Sequence, residues 1–138
     1  FGARYSADGL SDAKPLDETV NVPNAIDYTP FVSPDESFLL FSSNRPLIGD
    51  KEELFIHVTF RKSDGSWATP QRLSGIQARF PSLSPDGRYL FSCGDDGNFY
   101  WVDRTLIERL KGAHPGATLP ATPGAASGAH LVRPVPSH

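Results

Sequence analysis

Apolar and polar positions alternate along Leu54 to Phe60, with Leu54, Ile56, Val58 and Phe60 on one side and Phe55, His57 and Thr59 on the other. Successive side chains of a strand point to opposite faces, so this segment predicts a β-strand. Phe38 to Phe41 is instead a continuous apolar run. A run so short, flanked by turn residues, predicts a strand covered on both faces rather than a helix. Phe80 to Ser84 and Arg88 to Cys93 predict the arms of a hairpin around Pro85, Asp86 and Gly87. Pro85 presets φ for a tight turn, and Gly87 tolerates the backbone needed to leave it.

The same phrase stands earlier in the chain. Ser33, Pro34 and Asp35, followed by Phe38, Leu39 and Leu40, precede Ser84, Pro85 and Asp86, followed by Tyr89, Leu90 and Phe91, by 51 residues. A turn and strand that recur as one unit predict a repeat protein, and a period of this length suits propeller blades. Glu36 stands where the later copy has Gly87. Type I geometry favours glycine there without requiring it, so the first turn is expected to survive. Glu53 to Ile56 aligns with Asn98 to Trp101 at a spacing of 45. The later loop is then shorter by about six residues, which loop-closure entropy tolerates.

Asp64 to Trp67 predicts a turn into an outer strand, Ala68 to Leu73, and Asp8-Gly9 followed by Lys14 to Leu16 reads as a diverged copy of that turn. Leu106, Ile107 and Leu110 share one face of a short helix, which Asp103, or Thr105 with Glu108, starts and Gly112 stops. The helix is expected on the edge of the last blade, whose fourth, outer strand the sequence does not supply. The expected fold is all-β, a partial β-propeller of antiparallel four-stranded blades with a short C-terminal helix. Residues 1–26 give the outer strands of a preceding blade, 27–76 a complete blade, and 77–111 a final partial blade with the helix. The remainder, 112–138, is mostly Ala, Pro and Gly. With so few bulky apolar side chains to offset ordering entropy, it is expected to be a disordered tail. Two blades do not close a ring, and the chain has no Met, so a piece of a longer chain is expected, or else assembly from several short chains.

Composition narrows the partners. The net charge is −3, and Arg61-Lys62 is a short basic pair beside Asp64, so nucleic acid is not an expected partner. Cys93 is the only cysteine and forms no internal disulfide. No apolar run of membrane-spanning length, signal sequence or lipidation motif is present, so membrane insertion is not expected.

Pro30 to Ser43, Leu54 to Leu73 and Pro81 to Asp103 together resemble the WD40-like propeller repeat of TolB-type proteins, the PD40 repeat. The distinguishing portions are the Ser-Pro-Asp turn with its aromatic and aliphatic strand, Phe41 to Pro46, and Tyr100 to Asp103 leading into a helix. The Gly-His and Trp-Asp pairs of true WD40 repeats are absent, and Leu47 to Glu52 replaces the glycine-rich loop common in these repeats. The resemblance implies a propeller, commonly of six or more blades, in a periplasmic or otherwise extracytoplasmic bacterial setting. It implies no single activity.

Chemistry is sparse in the sequence. Asp95, Asp96 and Asn98 offer oxygen ligands but lack an EF-hand's spacing, and Asp96-Gly97 is a favoured hairpin turn. His57 has no partner motif for zinc and reads as a packed or edge histidine. Neither a serine-hydrolase elbow nor a phosphate loop occurs, Asp64 to Trp67 is too short for the aspartate box of sialidases, and Asp35 and Asp86 read as turn formers. No catalytic residues, metal ligands or cofactor are therefore assigned. The expected function is a non-enzymatic recognition scaffold for a protein or a cell-envelope polymer, with the remaining blades as further partners. Its candidate contacts are Arg45, Asp50, Lys51 and Glu52 in one loop and Asp95, Asp96 and Asn98 in another, because variable loops on a rigid sheet carry binding. The alternative is the propeller portion of a hydrolase or polysaccharide lyase whose catalytic residues lie outside this sequence. Blade faces and edges without neighbours predict self-association.

Overall fold

The computed structural model describes residues 2–3, 5–45, 53–73, 78–112 and 130–131. The fold is mostly β, two antiparallel sheets and one short helix. The first sheet runs in chain order through β3 (Asp27–Val32), β4 (Phe38–Ser43), β5 (Phe55–Phe60) and β6 (Gln71–Arg72). The second runs through β7 (Ala78–Leu83), β8 (Tyr89–Gly94) and β9 (Phe99–Asp103), and β10 (His130–Leu131) adds to the β9 edge. A two-stranded ribbon, β1 (Tyr5–Ser6) and β2 (Gly9–Leu10), precedes them.

The two leading hairpins have the same register. Asp27 pairs with Ser43 and Phe31 with Leu40; Ala78 pairs with Gly94 and Ser82 with Phe91. Both ladders shift register before a proline, at Thr29-Pro30 and Phe80-Pro81, where Thr29 (φ 54°) and Phe80 (φ 57°) take left-handed backbone. Their turns close alike. The Ser33 amide donates to the Phe38 carbonyl at 3.0 Å and the Ser84 amide to the Tyr89 carbonyl at 2.9 Å. The Ser33 hydroxyl accepts the Phe38 amide at 3.0 Å, and the Ser84 hydroxyl accepts the Tyr89 amide at 3.0 Å. The first turn survives without glycine because Glu36 itself adopts φ 54°, the left-handed region that Gly87 occupies at φ 70°.

The next hairpins correct the sequence alignment. Leu40 pairs with Val58 and Phe91 with Trp101, so Val58 corresponds to Trp101 and Ile56 to Phe99, a spacing of 43 instead of 45. A two-residue slip returns every side chain to the same face, so the apolar pattern cannot detect it.

The main core lies between the sheets. Phe38, Leu40, Ile56 and Val58 on one face of the first sheet pack with Ala78 and Leu90 of the second. The opposite face of the first sheet, Leu39 and Phe41, packs under Val20, Leu16 and Trp67. β4 is thus buried on both faces, as its unbroken apolar run requires.

Helix α1 (Thr105–Lys111) sends Ile107 and Leu110 into the main core. The Gln71 side-chain amide donates to the Leu110 carbonyl at 3.4 Å. The helix therefore bridges the two sheets and does not sit on the edge of the second alone. Asp103 accepts the Thr105 amide at 2.9 Å, while Glu108 accepts from Arg104 at 3.1 Å and forms no capping box. Two further expectations change. The outer strand expected over Ala68 to Leu73 shortens to β6, and a fourth strand absent from the sequence reading is supplied by His130–Leu131, which pairs with Trp101 and Tyr100. An exposed strand edge has unpaired backbone groups that any extended segment can satisfy, whatever its composition. The rest of the expected tail, 113–129 and 132–138, lies outside the described residues.

Candidate functional site

The loop joining β8 to β9 is a tight, internally bonded structure. The Gly94 amide donates to the Asn98 carbonyl at 2.9 Å and the Gly97 amide to the Gly94 carbonyl at 3.0 Å, with Gly97 at φ 78°. Asp96 is its hub. It accepts the Tyr100 hydroxyl at 2.6 Å, the Asn98 side-chain amide at 2.8 Å and the Asn98 backbone amide at 3.0 Å. These donors, the Tyr100 hydroxyl foremost, hold the Asp96 carboxyl below its ordinary range, and Asp96 in turn raises the Tyr100 phenol. A Cβ on Gly94 would stand 2.6 Å from the Tyr100 ring and 2.7 Å from Asp96, so only glycine fits beneath this network. Asp95 points elsewhere and accepts Arg79 Nε at 2.9 Å.

Arg45, in the other candidate loop, is turned into the fold. It pairs with Asp27, donates to the Val20 carbonyl at 2.7 Å and to the Ser43 hydroxyl at 2.9 Å, and leaves 11% of its side chain exposed. Its guanidinium also lies 5.0 Å from the centre of the Phe41 ring. These contacts tie the N-terminal segment to β4, so Arg45 serves architecture. Asp50, Lys51 and Glu52 lie outside the described residues. The structure therefore brings together Asp95, Asp96 and Asn98.

His57 stacks on Phe41, ring centroids 5.7 Å apart, and its Nδ1 lies 3.1 Å from the Phe55 carbonyl oxygen. Burial pushes its pKa down to about 4, and the charges of Arg45 and Arg72 add to this. It is a neutral core side chain, the packed one of the two alternatives, packed or edge, that its strand position left open. Among the described residues, no cluster of three His, Cys, Asp or Glu side chains is placed to hold a metal ion.

At the opposite end of the sheets lies a surface that sequence reasoning missed. A concavity of about 420 Å³ is lined by Asp86, Arg88, Asp103, Arg104 and Glu108, and a smaller one of about 110 Å³ adjoins it through Arg104 and Glu108. The Ser84 hydroxyl and the Arg88 amide hold the Asp86 carboxyl below its ordinary range, and the Thr105 amide and hydroxyl do the same for Asp103. Asp35, in the equivalent turn, is lowered to about 2, first by Ser33 and then by Ser37. Carboxyls held ionised in this way serve as turn acceptors, not as general acids at neutral pH. No signal in the sequence marked it, since Asp86 and Arg88 meet Asp103 and Arg104 only through the pairing of β8 with β9.

No known protein family, curated protein or solved structure matches the chain. Among the described residues, no helix is long and apolar enough to cross a membrane.

Proposed function

We propose that the chain is a non-enzymatic recognition scaffold, part of a β-propeller of the PD40 type, that presents the Asp95–Asn98 loop to a protein or a cell-envelope polymer. The observation that carries this reading is the Asp96 network. Tyr100 and Asn98 fix the loop before any ligand arrives, and a preorganised polar loop on a stacked-sheet base loses little entropy on binding. The propeller assignment is supported by the shared register, bulge and turn of the two hairpins, 51 residues apart. The extracytoplasmic setting, and partnership with further blades, rest on the sequence resemblance.

Retention of the full chain on purified peptidoglycan, together with a glycan array, tests the reading. The wild-type chain should bind one of these, and the Asp95→Ala, Asp96→Ala, Asn98→Ala triple variant should lose at least about tenfold in affinity. Equal binding by both proteins would refute the loop's role, and binding to none of these polymers would refute the polymer arm of the proposal.

A further inference from the structure

The outer face of the first sheet is covered by a segment that is bonded mainly to itself. Leu16 and Val20 pack, with Trp67, on Leu39 and Phe41, and this cluster shares no residue with the main core between the sheets. Among the described residues before Ile26, the backbone bonds close inside the segment: Gly2 with Lys14, Val20 and Asn21 with the Asp17 carbonyl, Ala25 with the Val22 carbonyl, and β1 with β2. Its polar ties to the sheet come from side chains. Arg45 donates to the Val20 carbonyl at 2.7 Å, and the Ile26 amide donates to Asn44 Oδ1 at 2.9 Å. A segment bonded within itself and joined to its support by a few contacts opens at less cost than the whole fold.

His57 lies on the covered face, opposite Phe41 in register, and is 2% exposed. Its ring stacks on Phe41, the Arg45 guanidinium stands 5.0 Å from the centre of that same Phe41 ring, and Arg72 is its register partner on β6. Asp27, the anion on β3 that favours a charged ring, is already paired with Arg45. On the cover, Asp17 and Glu18 are exposed, and Asp17 accepts the Thr19 and Val20 amides. Before Trp67, Lys62 and Asp64 are exposed, and Arg61 pairs with Glu36. The Phe55 carbonyl accepts from Nδ1, so an added proton goes to Nε2. It would make His57 a third cation, with Arg45 and Arg72, on a buried face.

We infer that the segment preceding Ile26 is an acid-released cap: a proton on His57 favours the lifted segment, which bares Leu39 and Phe41 while the two sheets stay stacked. What it covers is a sheet-stacking face, since Leu39 aligns with Leu90, which the second sheet sends into the main core. The direction follows from proton linkage. Covered, His57 has its pKa lowered to about 4, and uncovered it returns toward 6.5, so the lifted form binds the proton more tightly. The cap is therefore held fully above pH 6.5 and loosens as pH falls toward 4. Between pH 7.5 and 5 the lifted population gains at most about 25-fold.

This inference rests on the cover of the first sheet and not on the recognition reading, and it is tested without a ligand. Amide exchange of the full chain, corrected for the intrinsic effect of pH, reads the cap at Ile26, whose bond to Asn44 breaks when the segment lifts. Ile26 should exchange at least about tenfold faster than the amides of β8 at both pH 7.5 and pH 5, the mark of an opening smaller than unfolding. From the higher pH to the lower its exchange should rise at least about fivefold. His57→Phe keeps an aromatic ring on Phe41 but takes no proton, so its Ile26 exchange should not rise. Leu16→Ala loosens the cap and leaves His57 in place, so it should speed Ile26 exchange at both pH values and keep the wild-type ratio between them. Exchange at Ile26 that ignores pH in the wild type, rises equally in His57→Phe, matches the rate of β8, or is unchanged by Leu16→Ala would overturn the inference.

Discussion

Leu40 and Phe91 hold the same register position in two sheets, Leu40 opposite Phe31 and Val58, and Phe91 opposite Ser82 and Trp101. One is sealed between sheets and the other stands at the surface. Their surroundings, rather than their strands, set their energetic weight. Leu40→Ala should therefore cost about 2–5 kcal/mol through lost transfer energy and the cavity left behind. Phe91→Ala, at the surface, should cost less than about 1 kcal/mol. Urea unfolding of both variants compares them directly.

The two Ser-Pro-Asp turns differ at one strained position. Glu36 sits at φ 54° without the freedom of glycine, and its ion pair with Arg61 is solvent-exposed. Left-handed backbone costs a non-glycine residue about 1–2 kcal/mol, and an exposed pair returns less than about 1. Glu36→Gly is thus expected to raise stability by about 0.5–1 kcal/mol, and Gly87→Ala, at φ 70°, to lower it by about 1. Thermal melts of the two variants should shift in opposite directions.

Both turns and the doubly buried β4 were legible because their signals are local. Ser33, Pro34 and Asp35 specify a turn by their own bonding, and Phe38 to Phe41 leave no polar face to expose. The correspondence of Ile56 with Phe99 was not legible, since a slip of two residues preserves the face of every side chain. The inward role of Arg45 also escaped sequence reading. Its partners Val20 and Asp27 come from distant segments, and nothing near Arg45 in the sequence points to them. The Asp96 loop was recognised as a turn, but its bond to Tyr100 depends on the β9 register.

His57 makes stability depend on pH. Its pKa falls from 6.5 to about 4 on folding, so the unfolded chain takes up the proton more readily. The contribution of its neutral form is complete above pH 6.5 and is lost as pH falls toward 4, by at most about 3 kcal/mol. His57→Phe should flatten this window. The loss due to Asp35 falls lower, between 3.8 and about 2, so the two are separable in unfolding free energies measured across pH.

Arg45 distinguishes an architectural from a ligand-binding arginine. Removing it strands Asp27 and the Val20 carbonyl, so Arg45→Ala should cost about 2–3 kcal/mol in urea unfolding. Arg45→Lys should recover only part of this, because one ammonium cannot reproduce bonds to Asp27, Val20 and Ser43 together. A variant that kept full stability while losing ligand would reassign the residue to the binding surface.

The central claim is that two equivalent sheets, stacked through Leu40 and Ile56 against Ala78 and Leu90, form one rigid base for the Asp95–Asn98 loop. Amide hydrogen exchange of the full chain tests it most directly. The account predicts that β4, β5 and β8 exchange slowly and at a common rate, with the Gly94 and Gly97 amides also protected. Exchange of 78–112 at the rate of unstructured chain, while 27–73 stays protected, would contradict it.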